Sequence, residues 1–277
     1  MPHREDHFDG HDGLTLYQQC WLPEGESTAA VIMIHGFTEH GGRNANVAEQ
    51  LNRHGYAVYA PDLRGHGRSQ GDSVFVNSFD EYLDDLDVFL RLVRQREPGK
   101  PLFLLGHSMG GAIVALLIAT RQPDVRGLLL SAPAAMVGKG VFPVLRFAAS
   151  LIGRWFPRLR IVRMGFGWIS RDPAVVTDFR NDPLVFHERF PVRIGAEILR
   201  AAQQVQNEAG AIRLPLLILQ GTGDRVIDPK GARRLHDRVA SEDKTLRLYD
   251  GLYHDLFHEP EKEQVIGDLI AWLNDRR

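Results

Sequence analysis

Leu102-Phe103-Leu104-Leu105-Gly106-His107-Ser108-Met109-Gly110-Gly111 decides how this chain is read. Leu102 to Leu105 is an apolar run of the length and type of a buried parallel strand. Ala112-Ile113-Val114-Ala115-Leu116-Leu117-Ile118-Ala119 follows without a breaker and reads as a buried helix. Between them lies Gly106-His107-Ser108-Met109-Gly110, a G-x-S-x-G. A serine on a sharp strand-to-helix turn is a nucleophile elbow. The flanking glycines keep its backbone clear of its neighbours. The turn holds the serine up at the carboxyl edge of the sheet, with the positive end of a helix behind it.

The bulk numbers bound the setting. At 277 residues, with 44% hydrophobic and 25% charged side chains, the chain suits one large α/β domain. A net charge of -2 speaks against a nucleic-acid partner. Cys20 is the single cysteine, so no intrachain disulfide forms, which fits a reducing compartment. The polar start, Met1-Pro2-His3-Arg4-Glu5-Asp6-His7, has no apolar h-region of a signal peptide. No apolar run reaches the ~18 residues that span a bilayer. These features predict a cytoplasmic protein; its oligomeric state is not legible.

Working outward from the elbow, apolar strands alternate with helical patterns. An Asp12-Gly13 turn precedes the partly alternating Leu14 to Trp21, read as part of an antiparallel hairpin. Strands follow at Ala29 to Ile34, Tyr56 to Ala60 and Gly127 to Ser131, then at Leu216 to Gln220 and Lys244 to Tyr249. Helices are expected at Arg43 to His54, from the capping-box spacing Ser78-Phe79-Asp80-Glu81 onward, at Pro229 to Val239 and at Pro260 to Leu273. This is an eight-stranded, mostly parallel sheet flanked by helices. After Ala132-Pro133 the alternation stops, and the stretch to Gln206 shows helical patterns without a strand. The chain therefore reads as a core of residues 1–132 and 207–277, with a helical cap inserted at 133–206.

A serine needs a base within hydrogen-bond reach, and that base needs an orienting carboxylate. In open α/β sheets such groups come from loops at the carboxyl ends of strands. After Leu216 to Gln220 comes Gly221-Thr222-Gly223-Asp224-Arg225-Val226-Ile227-Asp228-Pro229. Asp224 is the candidate acid; Asp228, the alternative, has the look of a helix N-cap before an N1 proline. After Lys244 to Tyr249 comes Asp250-Gly251-Leu252-Tyr253-His254-Asp255-Leu256-Phe257-His258. His254 is the candidate base and His258 the rival. The order Ser108, Asp224, His254 is that of the α/β-hydrolase fold. An oxyanion hole needs backbone N–H groups: Met109, after the nucleophile, and Phe37, in the Gly-rich loop after Ala29 to Ile34. His35 there shapes the loop or offers a second base. His254 and His258 lack the glutamate of a zinc H-E-x-x-H helix. No Walker A or G-x-G-x-x-G sequence calls for a cofactor, so neither metal nor cofactor is expected.

Lys139, Arg146, Arg154, Arg158, Arg160, Arg163 and Arg171 fall in a stretch free of acids until Asp172. Phe142, Phe147, Trp155, Phe156, Phe166 and Trp168 are interleaved, and Val141 to Ile152 has a helical pattern. One reading is a packed cap whose arginines are solvated or paired elsewhere. The other is a lid that meets a lipid surface. Either places an apolar cover over Ser108, which favours an acyl ester over a peptide.

Five stretches together resemble a known family. They are His35-Gly36-Phe37-Thr38-Glu39-His40-Gly41-Gly42-Arg43, Pro61-Asp62-Leu63-Arg64-Gly65-His66-Gly67-Arg68-Ser69, Gly106 to Gly111, Leu219-Gln220-Gly221-Thr222-Gly223-Asp224 and Gly251-Leu252-Tyr253-His254. They look like the monoacylglycerol lipases and the lysophospholipase-like serine α/β-hydrolases near them, as does Asn181-Asp182-Pro183-Leu184 in the cap. The resemblance implies a serine hydrolase that splits monoacylglycerol to fatty acid and glycerol. It implies Ser108, Asp224 and His254 as the triad and Phe37 and Met109 as oxyanion donors. It also implies Glu39 and Arg43 as contacts to the glycerol hydroxyls, unless their ion pair only orders the loop. The family's human form has a small residue where this chain has Phe37. A general carboxylesterase or lysophospholipase with the same triad, a proline-iminopeptidase-type peptidase and a non-catalytic hydrolase-fold binding protein are the alternatives.

Overall fold

Every residue of Leu102–His107 is buried, as its apolar run predicts, and the strand lies near the middle of an eight-stranded sheet. The computed structural model describes residues 3–136 and 155–277. In chain order the strands are β1 (His3–Asp9), β2 (Thr15–Trp21), β3 (Ala29–Ile34), β4 (Tyr56–Pro61), β5 (Leu102–His107) and β6 (Gly127–Ser131). The short β7 (Arg160–Val162) and β8 (Phe190–Pro191) come next, then β9 (Leu216–Gly221) and β10 (Lys244–Tyr249). The sheet order is β1-β2-β4-β3-β5-β6-β9-β10. In this sheet β2 alone runs opposite to the other seven strands.

The helices are α1 (Ala45–Arg53), α2 (Asp80–Arg96), α3 (Met109–Arg121), α4 (Pro173–Asn181), α5 (Val192–Glu208), α6 (Pro229–Arg238) and α7 (Lys262–Asn274). At α2 the capping pattern forms: Glu81 Oε1 accepts the Ser78 N–H at 3.2 Å, and Ser78 Oγ accepts the Asp80 N–H at 3.3 Å. Both faces of the sheet are covered. Ala30, Ile32 and Ile34 enter the cluster shared with α2 and α3. Ala29, Val31 and Met33 point the other way, into the cluster with α1 and α7. Burial on both faces is why these strands read as continuous apolar runs rather than alternating ones.

The hairpin partner of β2 is the polar start of the chain. β1 is exposed along most of its length, so it needs no apolar pattern. A second departure lies in the insertion, which was expected to be free of strands. Arg160–Val162 pairs antiparallel with Phe190–Pro191. Pieces of three and two residues are too short to show a period. Above the carboxyl edge of the sheet, Phe166, Ile169, Phe179 and Val185 make a small cluster of their own. α5 leaves it to lay Ile194, Ala201 and Val205 into the main core beside α3. The helix expected over Val141–Ile152, and with it Lys139, Phe142, Arg146, Phe147 and Arg154, lies outside the described residues. Among the described residues no helix is long and apolar enough to cross a membrane.

Candidate active site

Ser108 sits between β5 and α3 with φ 52° and ψ −116°, a strained conformation for a residue with a side chain. Three hydrogen bonds fix it there. Its N–H donates to the Ser131 carbonyl at 2.9 Å, and its carbonyl accepts from Ala134 at 2.9 Å and Ala112 at 3.2 Å. The glycines are required by contact. A Cβ on Gly110 would strike the carbonyl oxygens of Ile34 and His35, and one on Gly106 would strike the Gly110 carbonyl. The turn is thus wedged against the end of β3, which brings the loop after β3 beside the serine.

The loops after β9 and β10 deliver the other two groups. Ser108 Oγ–H donates to His254 Nε2 at 2.9 Å, and His254 Nδ1–H donates to Asp224 Oδ2 at 2.8 Å. Asp224 is itself anchored. Its Oδ1 accepts the N–H groups of Val226 at 2.8 Å and Ile227 at 2.9 Å, and its Oδ2 also accepts Gln220 Nε2–H at 3.1 Å. Burial alone would raise the Asp224 pKa, but the neighbouring His254 and these donors hold it below the usual carboxylate value. Burial alone would lower the His254 pKa, but the Asp224 carboxylate beside it raises it above 6.5. Such a chain of three takes a proton from the hydroxyl and stabilises the imidazolium that results.

Each rival has another task. Asp228 caps α6, its side chain accepting the Lys230 N–H at 3.0 Å ahead of Pro229. His258 pairs with Asp255 Oδ1 at 2.8 Å and reaches the Arg43 carbonyl at 3.0 Å. His35 has both ring nitrogens committed to backbone: to the Gly36 carbonyl at 2.7 Å and the Leu63 N–H at 2.9 Å. Desolvation, followed by the nearby His66, keeps its pKa well below the ordinary imidazole value, so it is neutral and shapes the loop.

Ser108, His254, Phe37 and Met109 all line one cavity of about 460 Å³, within the roughly 300–1,000 Å³ range of small-molecule sites. Among the described residues neither the Phe37 nor the Met109 N–H donates to another protein group. The cover consists of Met164, Ile169, Phe179, Phe190 and Ile198, and the lining is mostly apolar. The polar exceptions deep in it are Glu39, His107 and Asp255, while Arg163 belongs to its exposed part. A Cβ on Gly36 would touch the Glu39 carboxyl on one side and lie 3.2 Å from Ser108 Cβ on the other, so Glu39 stands beside the serine.

Glu39 and Arg43 are brought together loosely, Oε2 to Nε at 3.9 Å, but only Glu39 lines the cavity. The Arg43 guanidinium instead binds Asp255 Oδ2 at 3.2 Å and lies 4.7 Å over the Phe179 ring. Burial, with Asp255 nearby, pushes the Glu39 carboxyl up to about 7. Asp255 is held ionised against its burial by His258 and Arg43. Two groups escaped the sequence reading. Asp255 is one; its neighbourhood to His254 was the available signal. His107 is the other, its ring 5.0 Å from that of His254 and its Nδ1 3.3 Å from Ser131 Oγ. Burial, and then the charge of His254, push His107 down to about 4, so it packs there as a neutral ring.

The sheet order, the elbow and the Ser-His-Asp chain define a serine hydrolase of the α/β-hydrolase fold. A family model described as serine aminopeptidase, S33, matches residues 25–261. A monoacylglycerol lipase of Mycolicibacterium smegmatis is 37% identical over 98% of this chain and 97% of its own. The crystal structure of Paleococcus ferrophilus monoacylglycerol lipase superposes with a TM-score of 0.87 at 31% identity, over 95% of this chain and 99% of the other. A soluble variant of the Saccharomyces cerevisiae monoglyceride lipase, in complex with a substrate analog, gives a TM-score of 0.89 at 25% identity, over 100% of this chain and 95% of the other. The chain belongs to the serine aminopeptidase, S33, family and, within it, to the monoacylglycerol lipases. It is a carboxylic ester hydrolase.

Proposed function

We propose that the enzyme hydrolyses monoacylglycerols through an acyl-enzyme on Ser108. The observation that carries this is the cavity itself: an apolar chamber of about 460 Å³ with the serine and a small polar patch in one wall. In the cycle His254 takes the Ser108 proton as Oγ attacks the ester carbon. The N–H groups of Phe37 and Met109 hold the oxyanion. His254 then hands the proton to the departing glycerol oxygen. Water, deprotonated by His254, attacks the acyl carbon; as the intermediate collapses and releases the fatty acid, the protonated His254 returns the proton to Ser108 Oγ. Asp224 keeps His254 in the tautomer with its proton on Nδ1 throughout. The acyl chain takes the apolar lining. Glycerol hydroxyls meet Glu39, while Arg43 braces Glu39 and Asp255 from behind.

The polar patch also bears on the lysophospholipase reading. Glu39 and Asp255 present carboxyls where a lysophospholipid would bring its phosphate. Like charges in a desolvated pocket repel strongly. With acyl chain held constant, kcat/KM for a monoacylglycerol should exceed that for the lysophosphatidic acid by about tenfold or more. The gap should widen as pH rises through about 7, where Glu39 loses its proton. Glu39→Gln should narrow it. Equal or better hydrolysis of the lysophospholipid would overturn the substrate assignment. The same two carboxyls would also attract a substrate ammonium; turnover of an aminoacyl anilide at rates matching the ester would overturn the preference for acyl esters.

Residues 133–206 act as the cap in this scheme, in a cytoplasmic enzyme that works at lipid surfaces. Trp155, Phe156, Leu159, Ile161 and Trp168 are exposed on it. Of its arginines, Arg158 pairs with Asp72, Arg171 pairs with Glu259 and Glu261, and Arg160 and Arg163 reach backbone carbonyls. The aromatic residues therefore carry the proposed surface contact. The partition coefficient onto neutral phosphatidylcholine vesicles, read by co-sedimentation, should fall by about tenfold or more when Trp155 and Phe156 are both changed to Ser, since each lost apolar anchor is worth about a tenfold increment. Unchanged sedimentation would show that these residues do not meet the lipid surface.

A further inference from the structure

The loop that carries Phe37 is held in an unfavourable shape from above. Thr38, the next residue, has φ 69°, a region a β-branched side chain avoids, and its buried Oγ1 has no hydrogen-bond partner among the described residues. Something must hold the backbone there. On the core side Asp62 Oδ1 accepts the Gly41 N–H at 2.7 Å. Further contacts come from the segment between α4 and α5. The Phe186 N–H donates to the Thr38 carbonyl at 2.9 Å. His40 Nε2–H donates to Asp182 Oδ2 at 2.9 Å, and the other Asp182 oxygen is fixed by the Leu184 N–H at 2.9 Å. The Phe37 ring meets the edge of Phe190 at 5.2 Å and 89°.

We propose that Asp182 is a positioning residue for the oxyanion hole: through His40, and with the Phe186 N–H on Thr38, it clamps the loop so that the Phe37 N–H points at the reacting oxygen. One half of the insertion is then part of the catalytic machinery rather than a cover. The contacts of Asp182, Phe186 and Phe190 with this loop fall on His40, Thr38 and Phe37, within a few residues of the donor. Asp182 touches neither the cavity nor the Ser-His-Asp chain, so its effect on rate must pass through the loop. The inference rests on the assignment of Phe37 as an oxyanion donor.

The test uses a soluble short-chain ester, a trifluoromethyl ketone of the same chain length and the corresponding fatty acid. The ketone adds to Ser108 and places an oxyanion in the hole; the fatty acid reports ground-state binding alone. Asp182→Ala and His40→Ala should each lower kcat about tenfold, a fraction of the cost of losing a donor outright. KM and fatty-acid inhibition should stay within about twofold, while ketone inhibition weakens in step with kcat. The double variant should be no worse than either single one, because both remove the same link. Asp182→Asn, which keeps an acceptor for His40, should recover most of the rate. Wild-type kcat in a folded Asp182→Ala protein would overturn the clamp, and so would a fatty-acid affinity that falls as far as kcat. If Asp182→Ala does not fold, His40→Ala answers the same question from the core side. If the wild-type enzyme binds the ketone no better than the fatty acid, the underlying serine and oxyanion assignment fails, and that result is distinct from failure of the clamp.

Discussion

Ser108→Ala is expected to abolish ester hydrolysis, with kcat falling by roughly a million-fold while KM changes little. The removed oxygen is the one that His254 Nε2 faces at 2.9 Å, and with it goes the group that forms the acyl intermediate. What is left is binding and the two backbone donors, which do not supply a nucleophile. The fold should survive. The elbow is fixed by the main chain of Ser108 bonding Ser131, Ala134 and Ala112, and alanine keeps all three bonds. The stability cost is that of one hydrogen bond, about 1 kcal/mol. Hydrolysis measured beside a thermal melt checks both halves of the statement. A folded variant that retains more than a thousandth of the activity would mean that another group attacks the ester.

Asp224→Asn is expected to cost about ten-thousand-fold in kcat, with a diagnostic change in pH dependence. The two backbone N–H groups of Val226 and Ile227 select the amide oxygen at the Oδ1 position. The amide NH2 then faces His254, whose Nδ1 must accept rather than donate. The ring proton moves to Nε2, where it confronts the serine hydroxyl as a second donor, and Ser108 loses its base. In the wild-type enzyme the Asp224 carboxylate raises the His254 pKa above 6.5. Protonated His254 accepts nothing, so kcat/KM is full above that raised value and falls as pH drops through it. Without the carboxylate the acid limb of the residual activity should shift to lower pH. A pH profile of kcat/KM for both proteins checks this. An unshifted limb would show that Asp224 does not set the charge state of the base.

The parts legible in the sequence are those with a local cause. β5, the elbow and α3 announce themselves because strand, turn and helix each impose residue types over a contiguous stretch. Asp224 and His254 could be placed because they sit just after strands that are apolar throughout. Asp228 could be set aside because Pro229 follows it, and it does cap α6. The parts that were not legible depend on contacts across the chain. Asp182 meets His40 over a separation of 142 residues, and nothing in Asn181 to Leu184 says what its carboxylate faces. Arg43 and Glu39 come as neighbours on one loop, yet only the fold shows that Glu39 faces the cavity while Arg43 turns to Asp255 and Phe179. β7 and β8 exist because the insertion folds back on itself, and five residues in total cannot show a period. The polar β1 is an edge strand whose exposure hides it from any hydrophobic pattern.

Ser108 as the nucleophile of a monoacylglycerol hydrolase can be checked by labelling the protein with a fluorophosphonate, with and without monoacylglycerol, and locating the label by mass spectrometry of the peptides. One phosphonyl group is expected, on Ser108, with labelling slowed by monoacylglycerol in proportion to occupancy of the cavity. A label on any other residue of an active enzyme, or labelling at Ser108 that saturating monoacylglycerol leaves unchanged, would contradict that role.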